Sequence, residues 1–295
     1  MATGDHIRNP IEWSVDQVRT AGTALGQTGH AVRRHNEAEE SSLPAVRRIG
    51  LADLKEVLLK GLDDFGAYRT DVIFLCIIYP IAGLILARLA FGYEMLPLLF
   101  PLASGFALIG PAAAVGLYEM SRRREQGAEV SWADAFGVLR SPSFGEMLVL
   151  GIILFAIFLL WLITAYGIYL ATLGPDVPAT LGSFFRDVFT APEGWALIVV
   201  GVGTGFLFAC LVLAISEVTF PMLVDRDVGL FTAVATSIRA VVENPVPMAA
   251  WGLIVAGGLV LGSLPALLGL IIVMPVLGHA TWHLYRKIVP RPDQP

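Results

Sequence analysis

Apolar positions along this chain fall into long blocks separated by short amphipathic stretches. Runs with little or no charge occupy Val72–Ala90, Met95–Tyr118, Met147–Leu173, Trp195–Ile215 and Val246–Leu277. Crossing about 30 Å of hydrocarbon at ~1.5 Å per helical residue takes about 20 such residues, so each run predicts a membrane-spanning helix. The last run is too long for one crossing, and "GSLP" (Gly262–Pro265) places a turn signal inside it. Split there, it forms two short spans joined by a tight hairpin. The expected total is six.

A second pattern lies between the blocks. Leu51, Leu54, Leu58, Leu62 and Phe65 recur at helical spacing ahead of the first span. Trp132, Phe136 and Leu139 do so ahead of the third, and Phe231, Val234, Ala235 and Ile238 ahead of the fifth. Each stretch pairs an apolar residue with a following cation: Leu59 with Lys60, Leu139 with Arg140, Ile238 with Arg239. An apolar stripe with a basic edge suits the headgroup boundary of a bilayer. The expected fold is therefore all-α and polytopic, with six transmembrane helices as three pseudo-repeats. Each repeat is an interfacial amphipathic helix followed by a two-span hairpin.

Composition agrees with this reading. The chain is 56% hydrophobic and 15% charged, with a mean hydropathy of +0.70. Soluble chains carry roughly 25% charged residues, so an ordinary soluble enzyme is excluded. Placement of charge matters more than its sum. With six spans, Arg47, Arg48, Lys55, Lys60 and Arg69 share one side with Arg122 to Arg124, Arg140, Arg226, Arg239, Arg286, Lys287 and Arg291. Arg88 and Arg186 lie opposite. That asymmetry predicts a bacterial inner-membrane protein with both termini cytoplasmic. Residues 1–45 read as a polar, largely disordered cytoplasmic head with a marginal helix starting at Asn9 and Pro10. Residues 46–289 are the membrane domain and 290–295 a short tail. The head contains no apolar signal-peptide stretch, so the first span is expected to direct its own insertion. Cys76 and Cys210 lie in apolar runs and read as small hydrophobes.

Little in the chain points to chemistry. "PAAAVGLYEMSR" (Pro111–Arg122) and "PVLGHATWHLYR" (Pro275–Arg286) place a proline, an ionisable residue eight positions on and an arginine in one register. Glu119 then corresponds to His283, and Glu217 to both, at the ends of even-numbered spans. Glu119, Glu217, His279 and His283 form the candidate polar cluster. Helix C-termini disfavour carboxylates by roughly 0.3–1 kcal/mol, and Arg122 to Arg124 can answer Glu119, whereas Glu217 has no basic neighbour before Arg226. His279 and His283, four apart, share a helix face. A haem or copper site would need further ligands, and the intervening residues lack the glutamate of a metalloprotease helix. No cofactor is predicted, and no catalytic residue. "GVGTG" (Gly201–Gly205) lacks the preceding strand of a dinucleotide site. Gly201 with Gly205, and Gly258 with Gly262, read as helix-packing contacts.

"LLFPLASGFALIGPAAAVGLYEMSRRRE", "VSWADAFGVLRSP", "FPMLVDRDVGL" and "GHATWHLYR" resemble a proteobacterial family of uncharacterised six-helix integral membrane proteins. Some members are labelled cytochrome c oxidase subunit I-like. The resemblance covers roughly Val46 to Val289 and implies the fold without implying an activity. The expected function is a non-enzymatic structural, lipid-contacting or partner-binding membrane protein. Its partners would be the lipid bilayer and other membrane proteins, with no nucleic acid. One alternative is a carrier or channel built on the Glu/His cluster. A second is a haem- or copper-binding, oxidase-associated protein.

Overall fold

The computed structural model describes residues 43–67, positions 77, 80–81, 83–85 and 88, and residues 96–291 apart from 177, 179 and 266. Nearly all of the polar head, most of the first expected span and the 90–95 loop lie outside these residues. Among the described residues every regular element is a helix. In chain order they are α1 (Leu51–Ala67), a short 3₁₀ turn (Leu96–Leu98), α2 (Leu99–Ala113), α3 (Val115–Glu125), a 3₁₀ helix (Trp132–Arg140), α4 (Phe144–Thr172) and α5 (Leu181–Thr190). Then follow α6 (Pro192–Ser216), α7 (Thr219–Asp225), α8 (Leu230–Glu243), α9 (Pro245–Ser263) and α10 (Leu270–Ile288).

Four stretches are long and apolar enough to cross a membrane: Leu99–Glu125, Phe144–Thr172, Pro192–Asp225 and Pro245–Ser263. They fall on the expected second to fifth spans. Pro111 has no amide hydrogen to donate, and α2 gives way to α3 at Ala114, whose N–H returns to the Gly110 carbonyl at 2.9 Å. The long apolar tract divides at the expected place. Helix α9 ends at Ser263, Leu267 takes a positive φ of 68°, and α10 begins at Leu270. Helix α10 is more polar than the four, since its second half carries His279, His283, Arg286 and Lys287.

Two expectations need correction. Glu119 is not at a helix end, because α3 continues to Glu125. Glu217 caps the C-terminus of α6 as expected, but the chain turns almost directly into α7, so the dipole penalty reasoned for both is weaker. In addition, a helix not foreseen, α5, occupies the 174–194 loop. The Thr180 hydroxyl accepts the Ser183 amide at 3.1 Å, which starts that helix.

The three amphipathic stretches do form helical segments, although the middle one is 3₁₀. Only part of each stripe faces outward: Leu51 and Leu62, Trp132, Phe136 and Leu139, and Phe231 are exposed, whereas Leu54 is buried and Leu58, Phe65 and Val234 pack on the core. In α1 the buried positions are Leu54, which belongs to the leucine stripe, and Val57, Gly61 and Asp64 beside it. A Cβ at Gly61 would lie 2.7 Å from the Ala280 Cβ and the Val276 carbonyl, so only glycine admits this close packing of α1 on α10. Of the expected glycine contacts, Gly205 meets Trp161 and Gly258 meets Val273, while nothing lies within 4 Å of a Cβ at Gly201.

Helices α2, α4 and α6 pack together, and α9 with α10 forms a hairpin against α2, α3 and α1. Large apolar side chains such as Ile163, Phe206 and Leu253 remain exposed on α4, α6 and α9. Such a surface is stable against hydrocarbon and aggregates in water. The core is densest where α10 ends, around Trp282, Tyr285, Tyr118 and Phe220, all fully buried. Asn244 ties the entering chain to this end. Its Oδ1 accepts the Ile49 amide at 2.8 Å and its Nδ2 donates to the Arg47 carbonyl at 3.2 Å.

Candidate functional site

The polar residues of α10 meet three neighbouring helices at this end, and the helical period decides which residue meets which. His279 and His283, one turn apart, face α1 and α3. Asp64 of α1 lies between them, 4% exposed. Its Oδ2 accepts the Ser121 hydroxyl at 2.5 Å and pairs with His283 Nε2 at 2.9 Å. Its Oδ1 accepts Arg124 of α3, which also reaches Asp63 at 2.8 Å. Ser121 Oγ sits 2.7 Å from His279 Nδ1. Because the serine proton goes to Asp64, the hydrogen between Ser121 and His279 belongs to the imidazole, leaving Nε2 as an acceptor. That Nε2 is buried and has no hydrogen-bond partner among the described residues.

Burial works to raise the Asp64 pKa. The His283 and Ser121 hydrogen bonds and the charge of His283 outweigh it, so the carboxyl is held below the usual carboxylate range. A carboxylate gathering two histidines, a serine and an arginine from three helices makes Asp64 the hub. It joins α1, α3 and α10.

Glu119 belongs to a separate group. Its carboxylate takes Arg122 at 2.7 and 2.9 Å and Arg123 at 2.8 Å. Arg123 continues to Asp134 of the 3₁₀ helix at 2.6 Å. Asp134 also accepts the Ser131 amide at 2.9 Å, and this bond, with the Ser131 hydroxyl and the Arg123 charge adding to it, lowers its pKa against the opposing effect of burial.

Glu217 forms a third group, 6% exposed. It accepts the Trp251 indole N–H at 2.5 Å and the Thr281 hydroxyl at 3.3 Å, joining α6 to α9 and α10. It makes no ion pair with any described residue. A fourth group centres on Asp225, which takes Arg286 through both oxygens at 2.6 and 2.7 Å and the Tyr285 hydroxyl at 2.6 Å. The Arg286 guanidinium also stacks over Trp282, 4.7 Å from the ring centroid.

Of the four residues singled out by sequence, then, His279 and His283 share one centre, while Glu119 and Glu217 each sit in their own. Asp64, Ser121 and Asp225 were not singled out. The available signal for Asp64 was its place on one face with Leu54, Val57 and Gly61, which the louder leucine stripe masked. Among the described residues no group of three or more histidine, cysteine or acidic side chains is arranged to hold a metal ion.

No curated protein and no solved structure matches the chain. Residues 99–225, which run from α2 to α7 and carry Glu119, Ser121, Arg124 and Glu217, match the model of a family described as predicted integral membrane protein (DUF2189), an uncharacterised membrane-protein family.

Proposed function

We propose that this is a non-enzymatic, multi-pass inner-membrane protein that acts by packing, lipid contact and partner binding. Six spans in three hairpin units, with both termini cytoplasmic, are part of the proposal. One observation carries it: all the described buried carboxylates of this polar end but Glu217 are spent on neighbouring cations or hydroxyls. Asp64 is taken by Ser121, His283 and Arg124, and Glu119 by two arginines. Groups so committed lock helices together and are not free to bind a passing solute. The outward-facing parts of the apolar stripes on the three interfacial segments add lipid-contacting surface. No cofactor is required.

A carrier remains as the second reading on a single observation, the burial of Glu217 without a cation. An ionisable group of that kind inside a membrane bundle is a default functional candidate. Purified full-length protein in liposomes decides between the two. The scaffold reading expects proton and solute flux equal to that of empty vesicles. Flux that disappears in Glu217→Gln would overturn it in favour of the carrier.

A further inference from the structure

Beside the Glu119 ion pairs, a polar cleft of about 310 Å³ opens between α3, the 3₁₀ helix, the start of α4 and the end of α7. Four arginines and three acidic residues line it, but most are already committed. Arg122 and Arg123 hold Glu119. Arg226 reaches Asp225 and the Pro290 carbonyl, and Asp225 is saturated by Arg286 and Tyr285. Two exposed charges of opposite sign remain, Arg140 and Asp227, and among the described residues neither is engaged by another side chain.

An apolar groove of about 420 Å³ adjoins the cleft, with Val138 and Met147 lining both. It follows α4 from Phe144 to Phe155, about 16 Å at ~1.5 Å per residue, beneath Phe136 and Leu139. Leu148, Ile152 and Phe155 along it are 54%, 59% and 51% exposed, on a span whose outer surface suits hydrocarbon. A charged cleft opening into an apolar groove at the end of a span has the polarity of an amphiphile. The two uncommitted charges define its head.

We propose that cleft and groove together hold one glycerophospholipid whose zwitterionic head carries a primary ammonium. The phosphate pairs with Arg140, whose planar fork suits phosphate oxygens, and the ammonium pairs with Asp227. One acyl chain lies in the groove. The order fits the chain, because Arg140 directly follows Leu139 of the groove, whereas Asp227 lies past the end of α7. This site deepens the lipid-contact reading and rests on it.

Native mass spectrometry of the full chain in detergent, supplied with phosphatidylethanolamine, phosphatidylglycerol or phosphatidylcholine, tests the site. Phosphatidylethanolamine should be retained about tenfold better than the other two, since one charge-assisted contact is worth about that much. Arg140→Gln should lower retention of all three, and Asp227→Asn should erase only the preference. Nothing lies within 4 Å of a Cβ at Gly151, which lines the groove, so a larger side chain there starts into open space, and Gly151→Leu is chosen to fill the groove. That variant should melt at the wild-type temperature and lose the bound lipid. Equal retention by wild type and Gly151→Leu, or a preference for phosphatidylglycerol, would overturn the proposal. The liposome flux assay reports separately on the scaffold reading, because a carrier could still hold this lipid and a scaffold could lack it.

Discussion

Asp64 and His283 meet at 2.9 Å although 219 residues separate them in the chain. Their contact closes α1 onto α10 at the polar end of the bundle. Arg124 and Ser121 of α3 engage the same carboxylate, so one side chain holds three helices. Asp64→Asn should lower stability in detergent by roughly 2–4 kcal/mol, since removing one member of a buried charged network leaves its partners uncompensated. A double-mutant cycle with His283→Gln should show a coupling of about 1–3 kcal/mol. Additive single effects would mean that the contact is incidental.

The same centre sets an acid limit. The folded pKa of Asp64 lies below its ordinary value of 3.8, as do those of Asp53, through its Gly50 and Lys287 hydrogen bonds, and of Asp134. A depressed carboxyl contributes stability that is complete above the unfolded value and lost as pH falls through the folded one. Thermal stability should therefore hold from neutral pH to about 5 and fall steeply below about 4. The slope of that acid limb should be shallower in Asp64→Asn. An unchanged slope would remove Asp64 from the account.

The helices were legible because their signals are local. Twenty apolar residues in a row and a Gly-Ser-Pro break need no knowledge of neighbours. The exposed parts of the stripes were equally legible, since Phe136 and Phe231 turn outward whatever lies behind them. What packs behind them depends on which helix arrives, and that is a long-range fact. His279 and His283 could be placed on one face from their spacing, but not opposite Asp64. Glu217 stood out for lacking a basic neighbour, and its partners proved to be Trp251 and Thr281, 34 and 64 residues away. The position of α5 was missed because Phe184, Phe185 and Phe189 sit in a stretch too short and too interrupted to read as a span.

Close approach of α1 and α10 depends on Gly61. Adding a Cβ there forces it within 2.7 Å of Ala280 and of backbone, which cannot yield as a flexible side-chain tip can. Gly61→Ala should destabilise by roughly 1–3 kcal/mol despite the better helix propensity of alanine. Gly201→Ala, with nothing within 4 Å, is the matched control and should be neutral or slightly stabilising. Equal melting temperatures for the two variants would show that α1 does not pack as tightly as described.

Imidazoles draw attention to haem and copper, and His279 Nε2 is buried without a partner among the described residues. His279 Nδ1 is held by Ser121 and His283 Nε2 by Asp64, so the two rings turn their nitrogens to different neighbours. Purified protein should be colourless, with less than stoichiometric copper and iron by elemental analysis. His279→Ala should alter stability and leave metal content unchanged. A stoichiometric metal lost in that variant would restore the redox reading.

Orientation rests on the arginine and lysine asymmetry, and two positions test it cleanly. Ala128 follows α3 and its arginines, in a loop expected on the cytoplasmic side; Thr180 caps α5, in the loop expected outside. Both are exposed, so a cysteine at either can react without unfolding the protein. Cys210 is exposed on α6 and must be replaced first, together with Cys76. In intact cells a membrane-impermeant maleimide should label Thr180→Cys and leave Ala128→Cys untouched until the membrane is opened. The basic residues near Ala128 are what would hold that loop inside, because positive charges near span ends resist translocation. Labelling of Ala128→Cys from outside would invert the protein, and would place the proposed phospholipid site in the outer leaflet of the same membrane.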